Sequence, residues 1–211
     1  MEIVRVVLAW AAFALFHSLT VSERYERWAR RAMGDRAFSA HHRLLFTLYS
    51  AAAAAAVLLY VRSLPDAPLY RVDGWLRLLF RSVQACAAAF LLWTPWDLKE
   101  FIGLRQWERS RRGEPGREGE NDRLFTGKAY AVVRHPLYLG CSAILAFQPG
   151  QTRNSLASTA AIVAYLYAGT FLEERRMVRK FGDAYRRYRE RVPRFLPAPR
   201  PGWRRPGPER E

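Results

Sequence analysis

The sequence predicts an all-α integral membrane protein, a polytopic helical bundle of about five transmembrane helices with a C-terminal helix at the cytoplasmic surface. Three observations predict it: apolar residues are gathered into blocks, arginines crowd the gaps between the blocks, and successive gaps alternate between rich and poor in positive charge. A mean hydropathy of -0.20 with 25% charged residues would by itself suit a soluble chain. A soluble amphipathic protein, however, interleaves apolar and charged residues at helical spacing. At 211 residues the chain accommodates one integral membrane domain with several spans.

A helix needs about 20 mostly apolar residues to cross the hydrocarbon core. Ile3 to Leu19, Leu44 to Val61 and Leu78 to Trp96 fit, and Ser155 to Leu172 is apolar enough. Pro136 to Phe147 is shorter. With the turn "QPGQTRNS" it reads as the first arm of a helical hairpin, the alternative being a re-entrant segment whose ends are covered by protein or water. The first block follows only Arg5, has more positive charge after it than before, and shows no small-residue cleavage site after Ala14, which reads as a retained anchor rather than a removed signal. "SERYERWARRAM" has the amphipathic pattern of a helix lying along a membrane surface.

Charge placement gives the orientation, because Lys and Arg mark cytoplasmic connections. Ser22 to Arg43, Leu98 to Arg134 and Glu173 to Glu211 are arginine-rich, whereas the other two connections hold Arg62, Arg71 and Arg77, and Arg153. Five spans then place the N-terminus outside and the C-terminus in the cytoplasm, in a bacterial inner membrane. Trp93 and Trp96 fall at the inner interface and Trp75 at the outer one, as aromatic belts do. The net charge of +15 is explained by topology and anionic headgroups, so no nucleic-acid partner is expected. Cys86 and Cys141 are expected as small apolar residues packed between helices, and the four histidines form no metal-ligand cluster. His17 and the His41-His42 pair read as interface histidines.

The residues that carry chemistry begin at Leu124. In "LFTGKAYAVVRHPLYLG", Pro136 suits the first helical turn, where its missing N–H costs nothing. Arg134 and His135 add positive potential to a helix start that already favours an anion. Further on, Glu173 and Glu174 occupy the end of an apolar span, and an ionisable residue at membrane depth is a functional candidate. The plain alternative has Arg175 and Arg176 neutralising the pair in hydrated headgroups. Gly182 and Asp183 read as the stop of one helix and the cap of the next. Met177, Phe181, Tyr185, Tyr188 and Val192 make one apolar face. The polar stretch "ERSRRGEPGREGEND" reads either as a mobile cytoplasmic lid or as a plain linker.

In this order the residues resemble the isoprenylcysteine carboxyl methyltransferase-like superfamily of membrane methyltransferases. Tyr130, Arg-His-Pro-x-Tyr-x-Gly over Arg134 to Gly140, the Glu173-Glu174 pair, Phe-Gly-x-x-Tyr-x-x-Tyr over Phe181 to Tyr188, and Val192-Pro193 with Pro197 carry the likeness. "FHSLTVSERYERW" and "FIGLRQ" look more like a bacterial branch similar to methanethiol S-methyltransferase and to membrane accessory proteins of nitrogen-oxide reduction.

The resemblance implies transfer of a methyl group from S-adenosyl-L-methionine to a small thiol or lipophilic acceptor. Its alternatives are isoprenylcysteine-type carboxyl methylation and a non-enzymatic accessory role. Leu124, Phe125, Tyr130, His135, Pro136, Leu137, Tyr138 and Glu173 match cofactor-binding positions. No catalytic residue is identified, Arg134 and His135 being candidates for positioning. The expected organisation is a single domain with three spans in 1–100, the cofactor-binding half in 101–197 and a flexible tail in 198–211. In the isoprenylcysteine enzymes an arginine associated with the substrate carboxylate stands four residues before the glutamate pair. Here that position is Gly169, which favours a small neutral or thiol acceptor, although Arg175 lies one turn away.

Overall fold

The computed structural model describes residues 1–95, 97–114 and 124–197. In chain order the elements are α1 (Glu2–Val21), α2 (Glu23–Met33), α3 (Asp35–Ser63), β1 (Pro68–Arg71), α4 (Gly74–Trp93), α5 (Leu98–Ile102), α6 (Leu104–Arg111), a 3-10 turn (Lys128–Ala131), α7 (Pro136–Ala146), β2 (Gly150–Thr152), α8 (Arg153–Phe181) and α9 (Asp183–Arg191). The fold is the expected all-α polytopic one. Among the described residues, four helices, α1, α3, α4 and α8, are long and apolar enough to cross a membrane.

The fifth expected span differs. α7 has 11 residues, about 16 Å at 1.5 Å per residue, against the ~30 Å of a hydrocarbon core. The arm continues as extended chain instead of helix, because Pro149 and Gly150 interrupt it. Non-helical backbone needs partners where water is scarce, and β1 supplies them. β2 pairs antiparallel with β1, Val72 N donates to the Pro149 carbonyl at 2.8 Å, and Arg153 N donates to the Ala67 carbonyl at 3.0 Å. No local pattern in the α3–α4 connection marks it as the partner of this turn.

The elements group into two compact units. The first holds α1, α2, α3, α5 and α6. Its surface helix α2 forms as expected: the Ser22 hydroxyl accepts from Tyr25 N at 3.2 Å, Glu23 and Glu26 occupy the first turn, and Arg30 and Arg31 the last, each favourable to the helix dipole. Trp28 on α2 is exposed. "FIGLRQ" proves to be a packing device: Gly103 takes φ 89° between α5 and α6, and a Cβ there would collide with the backbone of Leu44. Arg43 Nε reinforces the contact by donating to the Phe101 carbonyl at 3.0 Å. His17 Nδ1 lies 3.1 Å from the Ser50 hydroxyl, which joins α1 to α3. Glu108 to Arg111, expected in a loop, complete α6, and the rest of that candidate lid from residue 115 lies outside the described residues.

The second unit holds β1, α4, the 3-10 turn, α7, β2, α8 and α9. The third predicted span, α4, therefore groups with the C-terminal half and not with the first two spans. Trp75 and Trp93 stand exposed at its opposite ends, as membrane-interface residues do, while Trp96 lies outside the described residues. Cys86, expected in a packed interface, is exposed on α4, and Cys141 is partly buried.

α7 packs against α4 through Gly140, where an added Cβ would stand 2.6 Å from Leu91 Cγ. Overpacking a tight contact costs about 1 to 3 kcal/mol. Gly140→Val is accordingly expected to lower thermal stability in detergent by that amount, whereas pairing it with Leu91→Ala restores most of the loss. No recovery in the double variant would refute this reason for the glycine.

α8 ends at Gly182, φ 54°, and α9 starts at Asp183. The aspartate sits in the first helical turn instead of capping it, and accepts from Arg186 Nη1 at 2.9 Å. The apolar face expected here packs as a cluster: Tyr185, Tyr188 and Val192 are buried against Leu124, Met177, Val178 and Phe181. That cluster fastens the start of the motif-bearing segment and α9 to the end of α8. The tail from residue 198 lies outside the described residues.

Candidate functional site

The site is built where α7 begins and α8 nears its end. Pro136 at the first position of α7 fixes the helix start, and Arg134 and His135 immediately before it are buried to 6% and 5% exposure. Two contacts lock this segment. Arg134 N donates to the Pro193 carbonyl at 2.9 Å, and the Tyr188 hydroxyl donates to the Tyr130 carbonyl at 2.7 Å. α9 and the chain after it thus hold the lip of α7 in place.

Glu174 is the hub. Its side chain is 3% exposed and lies 2.7 Å from Arg134 Nη2. Arg194 binds it with two donors, Nε to Oε1 at 3.1 Å and Nη2 to Oε2 at 3.0 Å, a fork-to-fork geometry that adds direction as well as strength. Arg189 Nε stands 3.6 Å away. The alternative that placed Glu174 among Arg175 and Arg176 in hydrated headgroups is therefore corrected: its partners come from the lip of α7, from α9 and from the segment beyond it. Adjacent helical residues point about 100° apart, so one glutamate of the pair faces inward. Arg194 and Arg189 were missed in the sequence. Their only signal was position within or beside the Val-Pro close, and many other arginines crowd that region.

His135 divides the site. Its Nε2 lies 3.4 Å from Glu174 Oε1 and its Nδ1 3.3 Å from Glu173 Oε2. A neutral imidazole donates from one nitrogen only, while the protonated ring donates from both, so two flanking carboxylates select the cation. Burial opposes that charge, but the hydrogen bonds to Glu173 and Glu174 and their negative charge outweigh it, and the His135 pKa lies above the ordinary imidazole value. The ring is also stacked on Tyr138, 5.6 Å between centroids at 6°.

A linkage prediction follows from this direction. A pKa raised on folding gives stability that is fully present below the unfolded value of about 6.5 and is lost as pH rises through the folded value. Thermal stability in detergent should therefore fall as pH is raised from about 6.5, and His135→Gln should flatten that fall. A parent protein that gains stability over the same rise, or an unchanged slope in the variant, would contradict the assignment.

Glu173 has the other environment. Its side chain is 40% exposed, it is hydrogen-bonded to His135, and the Tyr138 hydroxyl bonds the same carboxylate. Tyr130 lies close enough to feel its charge, and Phe125, 52% exposed, sits edge-on to Tyr130 at 6.2 Å. The structure thus brings together Phe125, Tyr130, His135, Pro136, Tyr138 and Glu173. Leu124 is packed in the α9 cluster instead, and Leu137 is partly buried on α7. Gly169 lies beside Tyr138, whose ring and hydroxyl come within 4.0 Å of where a Cβ would stand. A side chain at 169 would begin in ordinary van der Waals contact with that tyrosine.

An accessible carboxylate, a buried imidazolium, two phenols and an exposed aromatic edge define a polar site at the end of a membrane hairpin. The chain matches the NnrU protein family over residues 5–192 and belongs to it. It is 27% identical over 94% of its length to methanethiol S-methyltransferase 1 of Bradyrhizobium diazoefficiens, covering 66% of that protein. It is 29% identical over 89% of its length to methanethiol S-methyltransferase of Mycobacterium tuberculosis, covering 75% of it. With the enzyme of the same name from Pseudomonas deceptionensis it shares 26% identity over 95% of its own length and 74% of the relative. The chain thus spans about two thirds to three quarters of these relatives. No solved structure matches it.

Proposed function

We propose that this protein is an integral membrane methyltransferase that moves a methyl group from S-adenosyl-L-methionine to a small thiol of the methanethiol kind. The observation that carries the reading is similarity over about nine tenths of the chain to proteins named methanethiol S-methyltransferase. The donor set fits the methyl donor, a molecule with an ammonium, a carboxylate, hydroxyls and a sulfonium. Glu173 offers accepting oxygens to ammonium or hydroxyl groups. Protonated His135 and the open N–H groups at the start of α7 offer positive potential to a carboxylate. Phe125, Tyr130 and Tyr138 supply aromatic surface, and Pro136 and Leu137 shape the approach. Arg134, bound to Glu174 and to the Arg189 carbonyl at 2.7 Å, acts through the others by holding the lip.

When bound, S-adenosyl-L-methionine supplies an electrophilic methyl group for in-line displacement by the acceptor. The protein's part is binding and orientation. The thiolate is the reactive form of such an acceptor, and the His135 cation favours its ionisation. Gly169, with Tyr138 lying against it, leaves no fixed cation for a carboxylate acceptor. The charge alternation supports an N-terminus outside and a C-terminus in the cytoplasm of a bacterial inner membrane.

Purified protein given S-adenosyl-L-methionine with a labelled methyl group and methanethiol should release labelled dimethyl sulfide, identified by mass. Absence of any labelled product with methanethiol and with longer alkanethiols would refute the reading.

A further inference from the structure

Beside the Glu174 cluster, the second unit contains a cavity of about 870 Å³. Arg134, Arg186, Arg189 and Arg194 line it together with Glu190. Their side-chain exposure is graded, from 64% at Arg186 through 42% at Arg189 and 24% at Arg194 to 4% at Arg134. At the buried end Arg134 is held by Glu174 and by the Arg189 carbonyl. The arrangement is a cationic funnel.

The lining sets the guest's charge. Among the described residues, four arginines and one glutamate, Glu190, line the cavity, and an anionic group with several accepting oxygens complements such a wall, as a phosphodiester does. The remaining wall is apolar. Tyr167 and Leu196 line the cavity, with exposures of 47% and 67%, and Phe171 and Leu172 lie exposed further along α8. The Arg194 guanidinium stacks on Phe171 at 3.9 Å. The cavity therefore stands where the exposed apolar surface of a membrane-spanning helix gives way to arginines, the level of lipid headgroups.

We propose that this cavity binds the phosphate of an anionic phospholipid, whose acyl chains lie along Tyr167, Phe171 and Leu172. A zwitterionic headgroup would bring an ammonium to a wall already in positive excess and is disfavoured. The bound phosphate would share Arg189 and Arg194 with Glu174, so the lipid would brace the cluster behind His135. This inference rests on the observed arginine cluster and not on methyl transfer, and it is read without any activity.

The test uses the full chain in detergent, delipidated and then offered phosphatidylglycerol or phosphatidylcholine, with retained adducts measured by native mass spectrometry. At about fivefold per arginine, the parent should retain phosphatidylglycerol at least tenfold over phosphatidylcholine. Arg186→Gln alone should cut the preference about fivefold, and Arg186→Gln with Arg189→Gln roughly twentyfold. Arg24→Gln with Arg27→Gln on α2 should leave it intact. Equal retention of the two lipids by the parent would overturn the proposal. So would a loss in the α2 variant as large as in the cavity variant, which would mean diffuse surface charge. Complete displacement by millimolar glycerol phosphate would overturn the lipid as the source and leave a soluble phosphate.

Discussion

Glu174→Ala is expected to cost about 3 to 5 kcal/mol of stability, the penalty for breaking a buried ion pair from one side. The substitution strands Arg134, which is 4% exposed beside a carboxylate at 3%, and removes both acceptors of the Arg194 fork. It also releases the chain after Val192 from the lip of α7, because Arg194 ties that segment to α8. Glu174→Gln keeps the volume but still leaves the arginine charges unmatched, and should fall between parent and alanine variant. Thermal unfolding in detergent reads both. A loss below about 1 kcal/mol, the value of an exposed pair, would mean that the cluster does not hold the fold.

Glu173→Gln should do the reverse. With a side chain 40% exposed, it leaves folding nearly unchanged. It replaces two accepting oxygens with one acceptor and one donor group, and loss of a charge-assisted hydrogen bond costs roughly 1.5 to 3 kcal/mol. Affinity for S-adenosyl-L-methionine should then drop by about ten- to a hundredfold, measured by calorimetric titration of purified protein. The two neighbouring glutamates thus separate by readout: one change moves stability, the other moves binding. Equal binding by parent and Glu173→Gln would remove Glu173 from the site.

The long spans were legible because a membrane helix is written in some twenty consecutive apolar residues, and α1, α3, α4 and α8 carry that pattern undiluted. The hairpin and the α9 face were legible for the same reason, since Tyr185, Tyr188 and Val192 recur at helical spacing. What stayed hidden depended on distant partners. Nothing local in Pro68 to Arg71 announces a strand, because its partner lies some eighty residues away in β2. Gly103 looked like part of a motif, and only the approach of Leu44 shows why the residue is glycine.

Within the site, the residue types were readable and their division of labour was not. Glu173 and Glu174 are chemically identical and adjacent in sequence. Their roles part only because His135 stands between them and because Arg194, twenty residues further on, folds back onto one of them. The arginines of α9 and of the segment after it were indistinguishable in sequence from topological charge, and the structure sorts them: Arg189 and Arg194 turn toward Glu174, while Arg187 and Arg191 remain exposed.

The proposed seat of the methyl donor is the Glu173 face of His135. An experimental map of the protein with S-adenosyl-L-homocysteine, the product left after methyl transfer, tests it most directly. The expected result is density for the nucleoside and amino-acid moieties beside Glu173, Tyr130 and Tyr138, with the arginine-lined cavity free of it. Density in that cavity among Arg134, Arg189 and Arg194, or no density at saturating ligand, would contradict the account.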